Sequence, residues 1–207
     1  MLETLKEQKV TQQLASPPVL ATADGIDQNL GGIQGEIFST ASSLDREELA
    51  DVARLIRHAP RVFVVGAGRS GLVLRMAAMR LMHLGLGVHV VGDTTTPAIA
   101  SGDLLIAASG SGTTAGVVKA ASTAAAVGAR IAVYTTAPES PLAARADAVV
   151  VIPAARKTDH GSSVSKQYSG SLFEQVLLLA TEAVFQSLWD AEGTPAEELW
   201  LRHANLE

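Results

Sequence analysis

Ser109, Ser111, Thr113 and Thr114 place four hydroxyls around Gly110 and Gly112. They follow an apolar run, Leu104–Ala108, and precede a helical stretch beginning at Ala115. Glycines let backbone N–H groups approach an oxyanion, and a helix N-terminus presents the positive end of its dipole. Hydroxyls add donors without a bulky charge. An ordinary helix cap needs one hydroxyl and not four. The chemistry read here is binding of a phosphate or another anion.

A second loop, Gly66-Ala-Gly-Arg-Ser-Gly71, fits G-x-G-x-x-G after a strand and before a helix. Two readings stay open. One is a dinucleotide fingerprint, with Asp93 after the next strand as the ribose-binding acid. The other is a tight strand–helix turn. A third loop, Gly92-Asp-Thr-Thr-Thr-Pro97, follows that next strand.

Glu174 stands in Gly170-Ser-Leu-Phe-Glu-Gln175, one turn into a long helical stretch. Ser171-x-x-Glu174 fits a capping box, which would make the carboxylate structural. Facing the strand ends instead, it could remove a proton from a carbon beside a carbonyl. His83 closes the helix after the first loop, where an imidazolium could interact with the helix dipole. His203 lies in the terminal Arg202-His-Ala-Asn-Leu-Glu207. His58, His89 and His160 read as structural or exposed. No two histidines fall at i, i+4 and Cys is absent, so no metal set is expected.

The elements that must position these residues show as periodicity. Val62–Val65, Val88–Val91, Leu104–Ala108, Ile131–Tyr134 and Val149–Ile152 are short apolar runs. Helical stretches separate several of them: Leu72–Leu84, Ala115–Val127 and a short Pro141–Arg145. Continuous apolar strands alternating with helices mean βαβ units around a sheet buried on both faces. The expected fold is α/β: a three-layer αβα sandwich on a five-stranded parallel sheet, flavodoxin- or Rossmann-like. A long helix is expected from Ser171 to about Asp190, with a short one after Pro195. Asp45-Arg-Glu-Glu48 fits a capping box ahead of Leu49, Val52, Ala53 and Ile56. Residues 1–32, interrupted by Pro17-Pro18 and Gly31-Gly32, read as a weakly patterned arm. A helical stretch follows near Ile33–Thr40. Residues 33–207 are expected to form one domain.

Composition narrows the function. The chain has 207 residues, 47% hydrophobic and only 4% aromatic, so Ala, Val and Leu must supply the core. A formal net charge of −5 argues against a general nucleic-acid binder, which needs a basic face. The absence of Cys removes disulfides and thiol nucleophiles and fits a reducing compartment. No signal peptide and no membrane span are read.

Taken in order from Leu44 to Glu207, these segments resemble the sugar-isomerase (SIS) domain family, and within it the 6-phospho-3-hexuloisomerases. The resemblance rests on Gly66-Ala-Gly-Arg-Ser-Gly71, Ala78-Met-Arg-Leu-Met-His-Leu-Gly85, Val91-Gly92 with Thr96-Pro97, and Gly102-Asp103. It continues through Ser109-Gly-Ser-Gly112, Gly170-Ser-Leu-Phe-Glu-Gln175 and Arg202-His-Ala-Asn-Leu-Glu207. The chain departs from the family at Gln167-Tyr168-Ser169, where members commonly carry Gln-Pro-Met, and at Thr113.

The resemblance implies an isomerase interconverting D-arabino-3-hexulose 6-phosphate and D-fructose 6-phosphate through a cis-enediol. That step serves formaldehyde fixation in the ribulose monophosphate pathway, beside a hexulose-6-phosphate synthase. It implies a cytoplasmic homodimer or homotetramer with no cofactor and no metal. It makes Glu174 the general base, with His203 first and His83 second as the group that shuttles protons between oxygens. It removes the dinucleotide reading. Gly68, Arg69, Ser70, Ser109, Gly110, Ser111, Gly112, Thr113 and Thr114 become the phosphate-binding set. The alternatives are another aldose–ketose isomerase of the same domain type, or a non-catalytic sugar-phosphate sensor.

Overall fold

The computed structural model describes residues 21–155 and 165–206. Five parallel strands form one sheet in the order β2-β1-β3-β4-β5. They are β1 (Val62–Gly66), β2 (Val88–Val90), β3 (Leu104–Ala108), β4 (Arg130–Thr135) and β5 (Ala148–Val151). The register runs Val62 to Leu104 and Leu104 to Arg130, so the strands begin level. Side chains alternate between two cores. Val62, Val64, Leu104, Ile106 and Tyr134 face one, and Phe63, Leu105, Ala107, Ile131 and Val133 face the other. That two-sided burial is why these strands read as unbroken apolar runs.

The first face carries α2 (Arg46–His58), α3 (Gly68–His83) and α5 (Ser171–Glu192), with α1 (Ala23–Ser42) lying on α5. The second carries α4 (Ala115–Ala126) and a 3-10 turn, Ala143–Arg145. A short α6 (Ala196–Trp200) buries Leu199 in the first core. Among the described residues no helix is long and apolar enough to cross a membrane.

Within the stretch read as a weakly patterned arm, residues 23–32 are regular: they are the first half of α1, with Gly31 and Gly32 inside the helix. Thr22 caps it by accepting from Gly25 N at 3.1 Å. Tertiary bonds then hold a sequence of poor helix propensity. Glu36 accepts from Ser165 Oγ at 2.6 Å, Lys166 N at 2.8 Å and Gln167 Nε2 at 3.0 Å. Burial opposes the Glu36 charge, but those bonds outweigh it and hold the carboxyl below its ordinary pKa. Expectations on residues 1–20, including Pro17-Pro18, and on His160 lie outside the described residues.

The capping box at Asp45 is half made. Asp45 accepts from Glu47 N and Glu48 N, as expected. Glu48 does not reach back. It accepts instead from Val151 N at 2.9 Å, pinning α2 to the end of β5.

Candidate active site

Order 2-1-3-4-5 reverses between β1 and β3, and loops leaving those strands diverge there. Ligands of open parallel sheets bind at such a switch point, beyond the carboxyl ends. A cleft of about 560 Å³ occupies this position. Gly68 and Ser70 line it from the β1 loop; Ser109, Gly110, Ser111, Thr113 and Thr114 line it from the β3 loop. Gly170 and Phe173 close it from α5.

Three helix N-termini converge on this cleft. The N-cap residues of α3, α4 and α5 are Ala67, Thr114 and Gly170, and none makes a side-chain cap bond. The first-turn N–H groups of each helix lack intrahelical acceptors. Each dipole adds partial positive charge to the same space. The hydroxyls are turned toward one another: Ser109 Oγ lies 2.9 Å from Thr114 Oγ1, and Thr113 Oγ1 donates to Ser111 Oγ at 2.9 Å. Thr114 thus sits at the cap position without capping, so the ordinary Ser/Thr cap is not what this loop builds.

The glycines have separate tasks. A Cβ on Gly71 would lie 2.5 Å from Gly66 O, so these two let α3 turn tightly off β1. That is the strand–helix turn reading of the first loop. Asp93, the candidate ribose acid, is paired with Arg75 at 2.7 Å. The Gly92–Pro97 loop does not line the cleft; Thr96 and Pro97 border an apolar recess with Phe63 and Gly116. Gly112 does not line the cleft either. Its φ is +64°, and a Cβ there would collide with Ser140.

Residues that the sequence did not single out hold the β3 loop in shape. Thr136 Oγ1 and Thr135 Oγ1 both donate to Gly110 O, at 2.8 and 3.1 Å. A Cβ on Gly110 would lie 3.7 Å from the Phe173 ring, at ordinary contact distance. The only sequence signal was the Thr135-Thr136 pair following an apolar run.

Glu174 is 3% exposed, under the cleft wall. The capping-box reading fails: Ser171 is the first helical residue and Gly170 the cap. Arg69, instead of pointing into the cleft, pairs its Nε with Glu174 Oε2 at 2.7 Å and donates to Ser171 Oγ at 3.4 Å.

His83 and His203 do come together, with ring centroids 4.0 Å apart and stacked. Arg202 Nη1 donates to His83 O at 2.9 Å, fixing the tail there. Burial, then the nearby His203 and Arg80, hold the His83 imidazole below its ordinary pKa. The pair is far from Glu174 within the chain. His83 lies fourteen residues beyond Arg69 on α3, about 21 Å at 1.5 Å per residue. Arg80 pairs with Glu182, so α5 runs alongside α3 in the same direction. One chain therefore keeps Glu174 at the carboxyl end of the sheet and His83–His203 at the amino end. Among the described residues no His, Asp and Glu cluster could hold a metal ion.

A parallel sheet of this order, with its cleft at the switch point and glycine–hydroxyl loops on two helix N-termini, is the architecture expected of a sugar-isomerase type of domain. Residues 55–179 match the SIS domain family, and the chain belongs to it. It is 66% identical to the 3-hexulose-6-phosphate isomerase of Mycobacterium gastri, over 93% of this chain and 97% of that one. It is 40% identical to the 3-hexulose-6-phosphate isomerase of Bacillus subtilis, over 84% and 95%. A crystal structure from Methanococcus jannaschii, for which the function of 3-hexulose-6-phosphate isomerase has been inferred, superposes with a TM-score of 0.75. That pair shares 29% identity over 87% of this chain and 99% of the other. The Vibrio vulnificus NanR protein, solved with ManNAc-6P, shares the fold alone, at 23% identity and TM-score 0.70 over 87% of this chain and 67% of that one.

Proposed function

We propose that this chain is a 3-hexulose-6-phosphate isomerase, interconverting D-arabino-3-hexulose 6-phosphate and D-fructose 6-phosphate. The observation that carries the reading is the high identity to a relative of that name over nearly both chains. The cleft fits the substrate class. Three uncapped helix N-termini and the hydroxyls of Ser70, Ser109, Ser111, Thr113 and Thr114 suit a dianionic phosphate. A pathway place beside the synthase that makes the hexulose phosphate, in the ribulose monophosphate route and in the cytoplasm, follows from the same reading.

The carbonyl moves between C3 and C2, so a proton must leave one carbon and reach the other. Glu174 is the base that carries it, through a cis-2,3-enediol. Its pairing with Arg69 links binding to chemistry. Arg69 lies between Gly68 and Ser70 of the cradle, so a bound phosphate competes with Glu174 for the guanidinium. A second group shuttles protons between the two oxygens. His203 is that group, supplied by a neighbouring copy of a homodimer or homotetramer, because its own chain holds it at the far end of α3.

Turnover of 3-hexulose 6-phosphate tests the activity. Mixing tests the sharing. Glu174→Gln and His203→Asn subunits, each inactive alone, are refolded together. Random pairing makes about half the dimers mixed, each with one intact site, so roughly a quarter of wild-type activity returns. No recovery with verified subunit exchange rejects sharing and leaves the isomerase reading standing.

A further inference from the structure

The register of β4 on β3 breaks at the cleft. Along the sheet it sets Arg130 N on Asp103 O at 2.8 Å and Ser109 N on Tyr134 O at 3.1 Å. Continued, it would set Thr136 N on Ser109 O. Thr136 N instead donates to Gly110 O at 3.0 Å, and Ser109 O accepts from Gly112 N at 3.0 Å. Residues 109–112 therefore form a hydrogen-bonded β-turn whose middle peptide joins Gly110 to Ser111. Neither of those two residues has a positive φ, which makes the turn type I.

Two side chains reinforce the break. Thr135 Oγ1 and Thr136 Oγ1 reach the same carbonyl as Thr136 N, so Gly110 O collects three donors, all from the end of β4. A carbonyl oxygen has two lone pairs, so this one is fully taken. Thr135 is fully buried, and its Oγ1 also accepts from Ala137 N at 3.1 Å, which directs its own hydrogen to Gly110.

What these bonds fix is a direction. In a trans peptide the C=O and the N–H point opposite ways, and among the described residues no peptide is cis. β4 and β1 lie on opposite sides of β3. Gly110 O faces β4, so Ser111 N–H faces the β1 side, where Gly68 and Ser70 form the other wall of the cleft. A type II turn closes with the same bond from Gly112 to Ser109 but turns the middle peptide over. It would put a carbonyl oxygen where an anion needs a donor. Ser111 opposes that form, as any L residue asked for a positive φ does, and the three donors on Gly110 O oppose it further.

We infer that Thr135 and Thr136 are positioning residues for the substrate phosphate: they hold Gly110 O on the β4 side and so keep Ser111 N–H aimed into the cleft. Neither hydroxyl has to touch the ligand. The inference rests on the phosphate reading of the cleft and adds the two residues that orient its backbone donor.

Inorganic phosphate is the probe, titrated calorimetrically into the full chain, with turnover of 3-hexulose 6-phosphate measured alongside. Thr135→Val and Thr136→Val each remove one hydroxyl at nearly constant shape. Each is expected to weaken phosphate binding several-fold, and the double variant by about tenfold or more, the scale of a hydrogen bond to a charged group. KM should rise in step while kcat stays within about twofold. Thr135→Ser and Thr136→Ser keep the hydroxyl and should keep the affinity. Weakening in Thr136→Val alone overturns the inference. Thr136 lines the cleft and would then be touching the anion directly, which the buried Thr135 cannot do. Where Thr135→Val fails to fold, the Ser111 amide resonance of isotope-labelled protein decides. It is expected to shift on phosphate addition in the wild type and to shift less in Thr136→Val; an undiminished shift overturns the inference. Unchanged affinity in every variant, with the wild type binding phosphate, overturns the lock and leaves the phosphate site standing. A wild type that binds no phosphate overturns the phosphate reading, and the lock with it.

Discussion

The two ends of the sheet carry openings of nearly equal size and opposite chemistry. The cleft at the carboxyl end holds about 560 Å³, and a groove at the amino end about 570 Å³. The amino-end groove is lined by Asp51, Arg54, His58, Arg130 and Asp147. Its charges are already spent on one another: Arg130 pairs with Asp147 at 2.6 Å, and Arg54 with Asp51. Nearby, the buried Asp103 takes both a fork from Arg61 and the N–H of Ala100. The Arg61 guanidinium holds the Asp103 carboxyl below its ordinary pKa, against the opposing effect of burial. At the carboxyl end Ser109 faces Thr114 and Ser111 faces Thr113 within one loop, no charged pair occupies the cleft lining, and three helices present uncapped N–H groups. Volume does not distinguish the two openings. Uncapped helix N–H groups at the carboxyl end do, and they are what the proposed phosphate site rests on.

The largest break of that comparison comes from Glu174→Gln. Turnover is expected to fall by at least about 10²-fold, the range of a missing general base. Gln keeps the shape of the side chain. A purely structural carboxylate would lose stability and keep its rate, so steady-state kinetics beside thermal unfolding separates the two roles. Solvent-deuterium exchange at C2 and C3 should fall with turnover. Exchange near the wild-type rate would return Glu174 to a structural partner of Arg69.

Next in size is the backbone of the β3 loop. Gly112→Ala puts a Cβ into Ser140 at a φ of +64°. Backbone strain of this kind costs about 1–3 kcal/mol, before any relief by movement of the loop. Gly116, four residues on and inside α4, meets nothing within 4 Å. Gly116→Ala should therefore stabilise by about 0.5–1 kcal/mol. Urea unfolding of both variants reads the contrast. Equal and small effects would mean that the loop adapts freely, and its hydroxyls would then not be held in place for a ligand.

The contrast between the ends was only partly legible in sequence. The sheet was, because parallel strands buried on both faces leave apolar runs such as Leu104–Ala108. The hydroxyl loop was, because its residue types repeat within six positions. What escaped were contacts between residues distant in sequence. Arg69 is 105 residues from Glu174, and no local pattern announces their pairing. Glu48 had an evident local partner in Asp45 and chose Val151 across the fold. Residues 23–32 looked weakly patterned because their glycines disfavour helix, yet they belong to the same helix as Glu36, which Ser165, Lys166 and Gln167 tie down from across the fold. His83 and His203 each looked ordinary alone; their stacking is visible only once the tail is placed.

The smallest expected effect is at the amino end, from Arg130→Ala. The Arg130 side chain is two-thirds exposed, so solvent screens its attraction to Asp147. Removing it also leaves no orphaned carboxylate, because Asp147 still accepts from Ile131 N at 2.8 Å. The loss should stay within about 1 kcal/mol, the range of surface ion pairs, and shrink further as salt is raised. KM and turnover for the ketohexose phosphate should not change. The groove there has the volume for a sugar phosphate, and Arg130 is one of its cations, so this variant asks directly whether size or uncommitted chemistry selects the site. A several-fold rise in KM with the fold intact would mean that the amino-end groove handles substrate, and the distinction between the two ends would collapse.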